Sequence, residues 1–351
     1  MSQIKRVVST HPCIQAPLKR GFFVGAPPLS GKETRRILCV GVTPCLQRTI
    51  RFSSLQLGQV NRAHSVAVSS GGKSINVART LKALKESPLV AGFAGGETGN
   101  TMVSFLGEMG IETDIVWTDQ PTRICTTLID RTTACVTELV EEAPLPTPDE
   151  WSALDEKLSL LLAESDIMVV AGAPPPGSPE DIYARFARRA QASGVAVLID
   201  ARGEALMQAL AYLPVLAKLN DQELVATCGR PIDTEGALRK AAQMLISGGA
   251  QWVLITQGKK DAWLLNETLA WRFTPPAVHV LNAVGSGDAT TAGIAAGLVR
   301  GQSMPDAVQL GIACGSANAT TLTPGDVDAD LVKKLVPEVG VAGSKLEPVD
   351  I

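Results

Sequence analysis

A glycine-rich segment near the end of the chain carries the clearest chemical signal. It reads Asn282-Ala-Val-Gly285-Ser286-Gly287-Asp288, and an apolar helical stretch follows to about Val299. Glycines before a helix leave backbone N–H groups unpaired, and the helix dipole adds partial positive charge, so the segment predicts an anion hole for a transferring phosphoryl group. Asp288 is placed to take a proton from an attacking hydroxyl. On spacing alone, a helix-capping carboxylate is the simpler interpretation.

A second glycine pair precedes another predicted helix, which spans Ile75–Lys85. The segment reads Ser69-Ser-Gly71-Gly72-Lys73-Ser74-Ile75-Asn76. The glycines permit close backbone approach, Lys73 offers a mobile cation, and Asn76 lies on the first helical turns, which suits a polyol or phosphate cradle. A mononucleotide P-loop is excluded, because it needs glycine at position 67, where the chain has Ala67.

A third segment joins a strand to a helix and reads Lys218-Leu-Asn220-Asp-Gln-Glu223. Asn220 and Glu223 are expected to face a crevice at the carboxyl edge of a sheet, where open α/β sheets bind ligands. Glu223 would then hold Mg²⁺ directly or through water. An N-cap Asn with its capping-box Glu fits the same spacing.

Two weaker signals follow in the last third of the chain. Thr256-Gln-Gly258 combines a strand end with a tight turn. Small residues around Ser316-Ala-Asn318 predict either close helix packing or a shallow wall for adenine.

The elements that must position these segments alternate between strand and helix, which predicts a mostly parallel sheet covered on both faces. Two stretches, 47–70 and 121–140, lack an intervening helix and predict a small antiparallel sheet that acts as a lid, with a hairpin around Arg131-Thr132. The predicted strands are Ile37–Val42, Pro88–Ala94, Asp166–Ala171, Val195–Asp200, Leu216–Leu219, Gln251–Thr256 and Ala262–Leu265.

The net charge of −3 hides an asymmetry along the 351 residues. Residues 1–36 carry seven Lys/Arg and one acid (+6), and the other residues carry 25 basic and 34 acidic side chains (−9). We expect a disordered basic extension, with an organelle transit peptide as the alternative. The acidic body and 4 % aromatic content disfavour a nucleic-acid partner. Seven cysteines without C-x-x-C spacing, and no apolar run of about 18 residues, predict a cytoplasmic protein without a membrane span.

Taken in order, these segments resemble the ribokinase-like family of sugar kinases, the PfkB group, over roughly residues 37–335. Within the group the chain is most similar to 1-phosphofructokinases and tagatose-6-phosphate kinases. The stretches that carry the resemblance are Gly58-Gln-Val-Asn61-Arg62, Gly71 through Arg79, Gly95-Gly-Glu-Thr-Gly99, Thr122-Arg123, Thr137-Glu138, Lys218 through Glu223, and Gly285 through Asp288.

The resemblance implies a three-layer α/β/α sandwich with a β-clasp lid, which in this family is often shared across a homodimer. The catalytic domain would span 37–340, between a 1–36 extension and a 341–351 tail. Asp288 would be the base, and the amides of Gly285, Ser286 and Gly287 the anion hole. Gly71, Gly72, Lys73 and Asn76 would contact the sugar, and Arg123 the phosphate already on it. ATP would contact Lys218, Asn220, Thr256, Gly258, Ser316 and Asn318, and Glu223 would place Mg²⁺ through water.

The sugar side departs from the family pattern. Where the family has Asn-Pro-Ala-Leu-Asp, this chain reads Thr43-Pro-Cys-Leu-Gln47. The neutral amide of Gln47 therefore stands where the family has an aspartate that binds sugar hydroxyls. If the register slips by one residue, Arg48 stands there instead. Ser74 replaces a common glycine and is expected to crowd the cradle. Residues 171–177 lack the serines often found there. Affinity or substrate choice is therefore expected to differ.

Three functions remain open at this point. The leading hypothesis is an ATP-dependent kinase of a phosphorylated ketohexose, of the fructose 1-phosphate, tagatose 6-phosphate or fructose 6-phosphate type. The alternatives are a kinase of a non-phosphorylated sugar or nucleoside, and a sugar-phosphate-binding regulator with weakened catalysis.

Overall fold

Strands alternate with helices along residues 35–345, the part of the chain that the computed structural model describes. The strands, in chain order, are β1 (Arg36–Gly41), β2 (Cys45–Phe52), β3 (Ser65–Gly71), β4 (Ser87–Gly95), β5 (Glu112–Thr118), β6 (Ile124–Asp130), β7 (Cys135–Val140), β8 (Ile167–Ala171), β9 (Ala196–Asp200), β10 (Leu216–Asn220), β11 (Trp252–Gln257), β12 (Lys260–Leu265), β13 (Leu269–Thr274) and β14 (Gly340–Lys345). The α-helices are α1 (Lys73–Ala83), α2 (Gly96–Glu108), α3 (Pro148–Leu162), α4 (Ile182–Ala192), α5 (Gly203–Ala209), α6 (Asp221–Cys228), α7 (Glu235–Gly248), α8 (Ser286–Val299), α9 (Met304–Asn318) and α10 (Ala329–Leu335).

Ten strands form the main sheet, in the order β14-β13-β12-β11-β10-β9-β8-β1-β4-β5. The strands from β11 to β5 in this order are parallel, and β12, β13 and β14 add an antiparallel edge. The chain runs outward from β1 through β4 to β5 and then returns to β8 on the other side of β1. Because the strand order reverses between β1 and β8, a crevice is expected at the carboxyl ends of these strands.

The two faces of the main sheet bury separate apolar layers. Ile37 and Cys39 of β1 pack with α1, α2, α8, α9 and α10, whereas Leu38 and Val40 pack with α3 to α7. Side chains of a strand alternate between faces, so a strand buried on both must be apolar at every position. The predicted three-layer α/β/α sandwich is therefore confirmed.

A second, four-stranded sheet has the order β3-β2-β6-β7, and we refer to it as the small sheet. The sequence predicts an antiparallel sheet here, and this is wrong for the central pair, because β2 and β6 are parallel. Each of these strands directly follows a parallel strand of the main sheet, β1 or β5, so both leave the same edge in the same direction. The hairpin predicted around Arg131-Thr132 joins β6 to β7.

The expected domain ends are shifted by a few residues at both termini. Residues 341–345, expected in a tail, belong to β14 and pair with β13. Their Gly340-Val-Ala-Gly-Ser-Lys345 sequence is exposed and lacks an apolar pattern, so periodicity does not reveal the strand. Arg36, expected in the basic extension, begins β1 and forms ion pairs with Glu112 and Glu164. The remaining expected extension and tail, residues 1–34 and 346–351, lie outside the described residues.

Among residues 35–345, no helix is both long and apolar enough to cross a membrane.

Candidate active site

The candidate site lies at the switch point of the main sheet, where the chain leaves β1 and β8. Thr43 Oγ1, just beyond β1, donates to the Ala173 carbonyl beyond β8 at 3.2 Å. Gly72, with φ of 110°, brings α1 against the Thr43–Pro44 segment, and an added Cβ there would lie 3.0 Å from Pro44 Cα. The glycine pair thus allows the first turn of α1 to approach the crevice closely.

Asp288 is buried in the first turn of α8, with 6 % of its surface exposed. Its Oδ2 accepts a hydrogen bond from Asn76 Nδ2 at 2.7 Å, which joins the two glycine-rich segments 212 positions apart. The N-cap of α8 is Gly285, and no side chain caps this helix. The capping interpretation of Asp288 is therefore wrong.

Burial raises the pKa of Asp288 to about 6, and the nearby Asp200 carboxylate raises it further. Lys73, the Asn76 amide and Lys218 act in the opposite direction. A carboxylate whose pKa lies near neutrality is suited to accept a proton from a hydroxyl and release it again.

The glycines of the predicted anion hole shape the start of α8. Gly285 adopts a φ of 82°, and an added Cβ would lie 2.8 Å from the Gly325 amide nitrogen. The backbone amides of Gly285 and Gly287 have no hydrogen-bond partner within residues 35–345, whereas the Ser286 amide donates to the Ala283 carbonyl at 3.2 Å. Gly285 and Gly287 therefore supply the available donors, and the expected role of the Ser286 amide is weakened because a turn already uses it.

A cationic centre lies beside these amides. Lys218 is buried in β10, and an added Cβ at Gly287 would lie 3.2 Å from Lys218 Nζ. The ammonium donates to Asp200 Oδ2 at 2.6 Å. Lys218 therefore lies next to the first turn of α8, and its expected contact with the phosphates stays a prediction.

Asp200 organises the charges of the site, and the sequence analysis did not identify it. It ends β9, is fully buried, and accepts from Lys73 Nζ at 2.9 Å and from Thr291 Oγ1 at 2.9 Å, besides Lys218. Burial acts to raise the pKa of Asp200, but Lys218 and Lys73 outweigh it and hold this pKa well below its usual range. A carboxylate that ends an otherwise apolar strand, Ala196-Val-Leu-Ile-Asp200, was the available signal.

Lys73 and Glu223 face each other across the crevice. Lys73 Nζ donates to Glu223 Oε1 at 2.9 Å, so the lysine bridges Glu223 and Asp200 instead of pointing freely toward a sugar. Burial acts to lower the pKa of Lys73, but the surrounding carboxylates of Asp200, Asp288 and Glu223 outweigh it and raise this pKa above its usual value.

Asn220 and Glu223 form a reciprocal capping box at the start of α6. The Glu223 amide donates to Asn220 Oδ1 at 2.7 Å, and the Asn220 amide donates to Glu223 Oε2 at 2.9 Å. Both oxygens of Glu223 are thereby engaged, and no cluster of three or more His, Cys, Asp or Glu suited to a metal occurs in residues 35–345. The donor set fits Mg²⁺ held through water, which this ion favours, and does not fit direct coordination by Glu223 as arranged here.

The departures on the sugar side have structural explanations. Gln47 is buried in the small sheet, where its Nε2 donates to Thr127 Oγ1 at 2.9 Å, so its amide is not directed at a sugar. The register pairs Gln47 with Ser69 and leaves Arg48 on the opposite, exposed face, so no slip occurs. The predicted sugar contact of Gln47 is therefore not supported.

Ser74 does not crowd the cradle, contrary to the expectation. Its side chain is 2 % exposed and packs against β1, where an added Cβ on Gly41 would lie 1.9 Å from Ser74 Oγ. Gly71 is similarly required by packing, because an added Cβ would lie 2.8 Å from both Cys45 Sγ and Gln47 Cβ.

Arg123 holds the loop that follows β1. Its Nη2 donates to the Thr43 carbonyl at 2.9 Å, and its Nη1 donates to the Glu141 carbonyl at 2.8 Å. It also lines a cavity of about 120 Å³ together with Pro44 and Thr122. Two nitrogens of this guanidinium are therefore already engaged by backbone carbonyls at the side of the cavity.

The residues expected around the nucleotide divide into two groups. Thr256 and Gly258 lie at the carboxyl end of β11, next to Asn220 of β10, and Ser316 lies on α9. Asn318 is fully buried; its Nδ2 donates to the Val284 carbonyl at 2.9 Å, and its Oδ1 accepts from the Gly325 amide at 2.7 Å. Asn318 therefore supports the anion-hole loop from beneath, and the expected direct contact with a nucleotide is not supported.

Comparison with known proteins agrees with this geometry. The model of the pfkB family carbohydrate kinases matches residues 34–328. A putative phosphofructokinase from Staphylococcus aureus is 29% identical over 89% of this chain and 100% of that chain, with a TM-score of 0.74. Phosphofructokinase-2 from Escherichia coli, solved in complex with fructose-6-phosphate, is 26% identical over 87% of this chain and 98% of that chain, with a TM-score of 0.78. A possible 1-phosphofructokinase from Thermotoga maritima shares the fold with a TM-score of 0.81, at 22% identity over 89% of this chain and 100% of that chain.

The fold, the family match and the phosphofructokinase relatives together show a phosphotransferase that acts on an alcohol group. The family match covers most of the chain, so this protein belongs to the pfkB family of carbohydrate kinases. The resemblance seen in the sequence is thereby confirmed, and a sugar is the class of acceptor.

Proposed function

We propose that the protein transfers the γ-phosphoryl group of ATP to a hydroxyl of a ketohexose that already carries a phosphate. The observation that carries the chemistry is Asp288, which lies in the first turn of α8 with the unpaired amides of Gly285 and Gly287 just before it. The phosphorylated acceptor is supported by Arg123, whose guanidinium fork suits phosphate oxygens, and by the E. coli relative solved with fructose-6-phosphate.

In this mechanism Asp288 accepts the proton of the sugar hydroxyl as its oxygen attacks the γ-phosphorus in line. Asn76 holds the carboxylate through the bond to Oδ2, which leaves Oδ1 for the hydroxyl. The amides of Gly285 and Gly287 and the Lys218 ammonium stabilise the negative charge on the transferring group. Asp200 accepts hydrogen bonds from both lysines and orients them.

Mg²⁺ fits this site through water on Glu223, and when bound it neutralises charge on the phosphates. Lys73 connects the same carboxylate to Asp200. We infer that Lys73 shifts toward the phosphates when these occupy the crevice, because they offer it additional negative charge.

Measurement of ADP release against a panel of phosphorylated and free sugars tests the proposal. We expect turnover with a ketohexose phosphate and little with the free sugars or nucleosides. Turnover restricted to a free sugar would contradict the phosphorylated acceptor. Thermal stabilisation by a sugar phosphate without ADP release would indicate a binding regulator instead.

Substitution of the base tests the proposed role of Asp288. We expect Asp288→Asn to bind ATP as the wild type does, in a calorimetric titration, but to lose most turnover, because the amide cannot accept the hydroxyl proton. A variant that keeps more than about a tenth of the wild-type kcat would contradict the assignment.

We further propose that the protein is a homodimer formed through the small sheet. Val66 and Val68 of β3 and Leu139 of β7 are about half exposed. The register places Val66, Ile50 and Leu128 in one row across three strands, on the same face as the other two. The same face carries the exposed Arg48, which pairs with Val68 and Thr126. A mostly apolar exposed face of this kind is typical of an interface between subunits, and the E. coli relative is tetrameric in its inhibited form.

A further inference from the structure

We propose that Arg79 is a positioning residue for phosphoryl transfer: its guanidinium orients the Asn76 amide so that the amide N–H donates to Asp288 and keeps this carboxylate ready to accept a proton. This inference rests on the proposed role of Asp288 as the base. It concerns the second turn of α1, at a residue that lies outside those that would contact a substrate.

Arg79 is buried, with 5 % of its surface exposed, and each of its contacts is to an oxygen. Its Nη2 donates to the Ser70 carbonyl at 2.5 Å, and its Nη1 donates to the Pro324 carbonyl and to Asn76 Oδ1, the latter at 3.3 Å. One guanidinium therefore joins the end of β3, the side chain that contacts Asp288, and the turn that packs against Gly285.

The orientation of the Asn76 amide follows from the chemistry of its neighbours. A guanidinium has only donors, so the amide must turn its oxygen toward Arg79. The Asn76 NH₂ group then faces Asp288, which it reaches at 2.7 Å. In the flipped orientation, the amide nitrogen would face the guanidinium and the amide oxygen would face the carboxylate, and both contacts would be repulsive.

The charges around Asp288 are balanced closely enough that the loss of one hydrogen-bond donor changes the pKa of this carboxyl group. Lys73 on α1 and Lys218 on β10 favour the ionised carboxylate, whereas burial and Asp200 on β9 disfavour it, and the resulting pKa is about 6. A hydrogen bond to the charged form lowers a carboxyl pKa, and Asn76 supplies one. Loss of that donor therefore changes the fraction of ionised Asp288 near neutral pH.

Arg79 remains a cation in this environment. Burial lowers the pKa of Arg79, and the charge of Asp326 raises it again. A guanidinium titrates so far above neutrality that it stays protonated in proteins. The donor-only character on which the amide orientation depends is thus present at all working pH values.

The next residue provides a matched control. Thr80 is also fully buried on α1, and its Oγ1 donates to the Gly325 carbonyl at 2.6 Å. Thr80 and Arg79 thus anchor the same Pro324–Gly325 turn, but only Arg79 contacts the Asn76 amide. Thr80→Val removes one anchor of the turn and leaves the contact between Arg79, Asn76 and Asp288 in place.

The experiment measures the titration of Asp288 in the unliganded protein. Carboxyl ¹³C NMR of aspartate-labelled protein is recorded against pH for wild type, Arg79→Met, Arg79→Lys and Thr80→Val, with Asp288→Asn to assign the signal. We expect Arg79→Met to raise the Asp288 midpoint by up to about one pH unit, the effect of one fully lost hydrogen bond to a charged group, because the Asn76 amide loses the partner that holds its oxygen. The acidic limb of the kcat profile should move by the same amount, and Thr80→Val should lower stability without moving either.

Arg79→Lys keeps the proposal testable if Arg79→Met does not fold, because a lysine retains the charge but not the fork. We expect a smaller upward shift, and we expect Arg79→Lys to cause no shift in an Asn76→Ala background, where the amide is already absent. An unchanged midpoint in a folded Arg79 variant, or an equal shift in Thr80→Val, would mean that Arg79 only holds the fold together. A shifted midpoint without ADP release on any sugar would support the amide orientation and contradict the proposed function.

Discussion

Asp288 combines a functional role with an unfavourable environment for its charge. Burial raises its pKa to about 6 from an ordinary aspartate value of 3.8. A group whose pKa is higher in the folded than in the unfolded chain stabilises the fold at pH values below both, and this contribution is lost as the pH rises through the folded-state value. At pH 8 the folded protein therefore carries the full unfavourable free energy of a buried carboxylate.

This linkage predicts that Asp288→Asn is more stable than the wild type above pH 7, by an amount on the order of a few kcal/mol. The gain should shrink as the pH falls from 8 to 4, because the folded-state carboxyl group becomes protonated, and it should vanish only below the ordinary value of 3.8. Thermal unfolding from pH 4 to pH 8 measures it. Asp149→Asn, an exposed first-turn aspartate on α3, is the matched control and should show no such gain. A pH-independent effect of Asp288→Asn would contradict the burial argument.

Local spacing predicts some residues of the site well and others not at all. The capping box of Asn220 and Glu223 follows from residues three positions apart, and it is present. Asp200 depends on lysines 127 and 18 positions away, whose meeting is decided by the order of the strands. The hydrogen bond from Gln47 to Thr127 likewise depends on the parallel pairing of β2 with β6, which no local sequence pattern reveals.

At the scale of the element, α8 has a glycine with positive φ beyond each end, and the two ends differ in their surroundings. Gly285 before the helix has a φ of 82° and is packed against Pro324 and Gly325, whereas Gly301 after the helix has a φ of 83° and open space around its Cα. A residue other than glycine would therefore be strained at either position. Only at position 285 would its Cβ also collide with neighbouring atoms.

We predict that Gly285→Ala destabilises the protein by about 3 kcal/mol and removes turnover, because strain and overpacking add. Gly301→Ala should cost about 1 kcal/mol through strain alone and leave kcat unchanged. Urea unfolding and steady-state kinetics on the two variants measure these effects. Equal losses of stability would show that the Pro324–Gly325 contact does not constrain the anion hole.

The two apolar layers of the main sheet are the part of the element structure that the sequence predicts best. Strands buried on both faces consist of consecutive apolar residues, and helices that cover them show a one-turn period. The sequence does not predict strand β14, because this strand pairs only with the edge strand β13. Backbone hydrogen bonds hold it there, and its side chains are all exposed, so they show no apolar pattern.

At the scale of the whole molecule, the chain has a net negative charge although its proposed substrates are anions. Residues 37–351 carry a net charge of −9, yet the crevice gathers Lys73, Lys218 and the amides of Gly285 and Gly287. We therefore expect the two lysines and the backbone amides of the crevice, and not the overall charge, to bind the phosphates of a substrate. Total charge disfavours a nucleic-acid partner, but it gives no indication of a phosphate substrate.

The proposed dimer predicts a specific change in molecular mass. Val66→Lys combined with Leu139→Lys places charge on the apolar face of the small sheet, and light scattering should show the wild-type mass halved. Leu160→Lys, on the exposed side of α3, is the control and should leave the mass unchanged. A wild-type monomer, or a double variant that stays dimeric, would contradict the proposal.

The contact between Gly41 and Ser74 also constrains how this protein can change over evolutionary time. With serine at 74, any side chain at 41 meets Ser74 Oγ at 1.9 Å, whereas glycine at 74 would remove that obstacle. A lineage that acquires the serine must already have glycine at 41, and it loses access to larger residues there until the serine reverts. Glycine must therefore be present at 41 before serine can be accepted at 74, so the two exchanges are compatible with this packing in only one order.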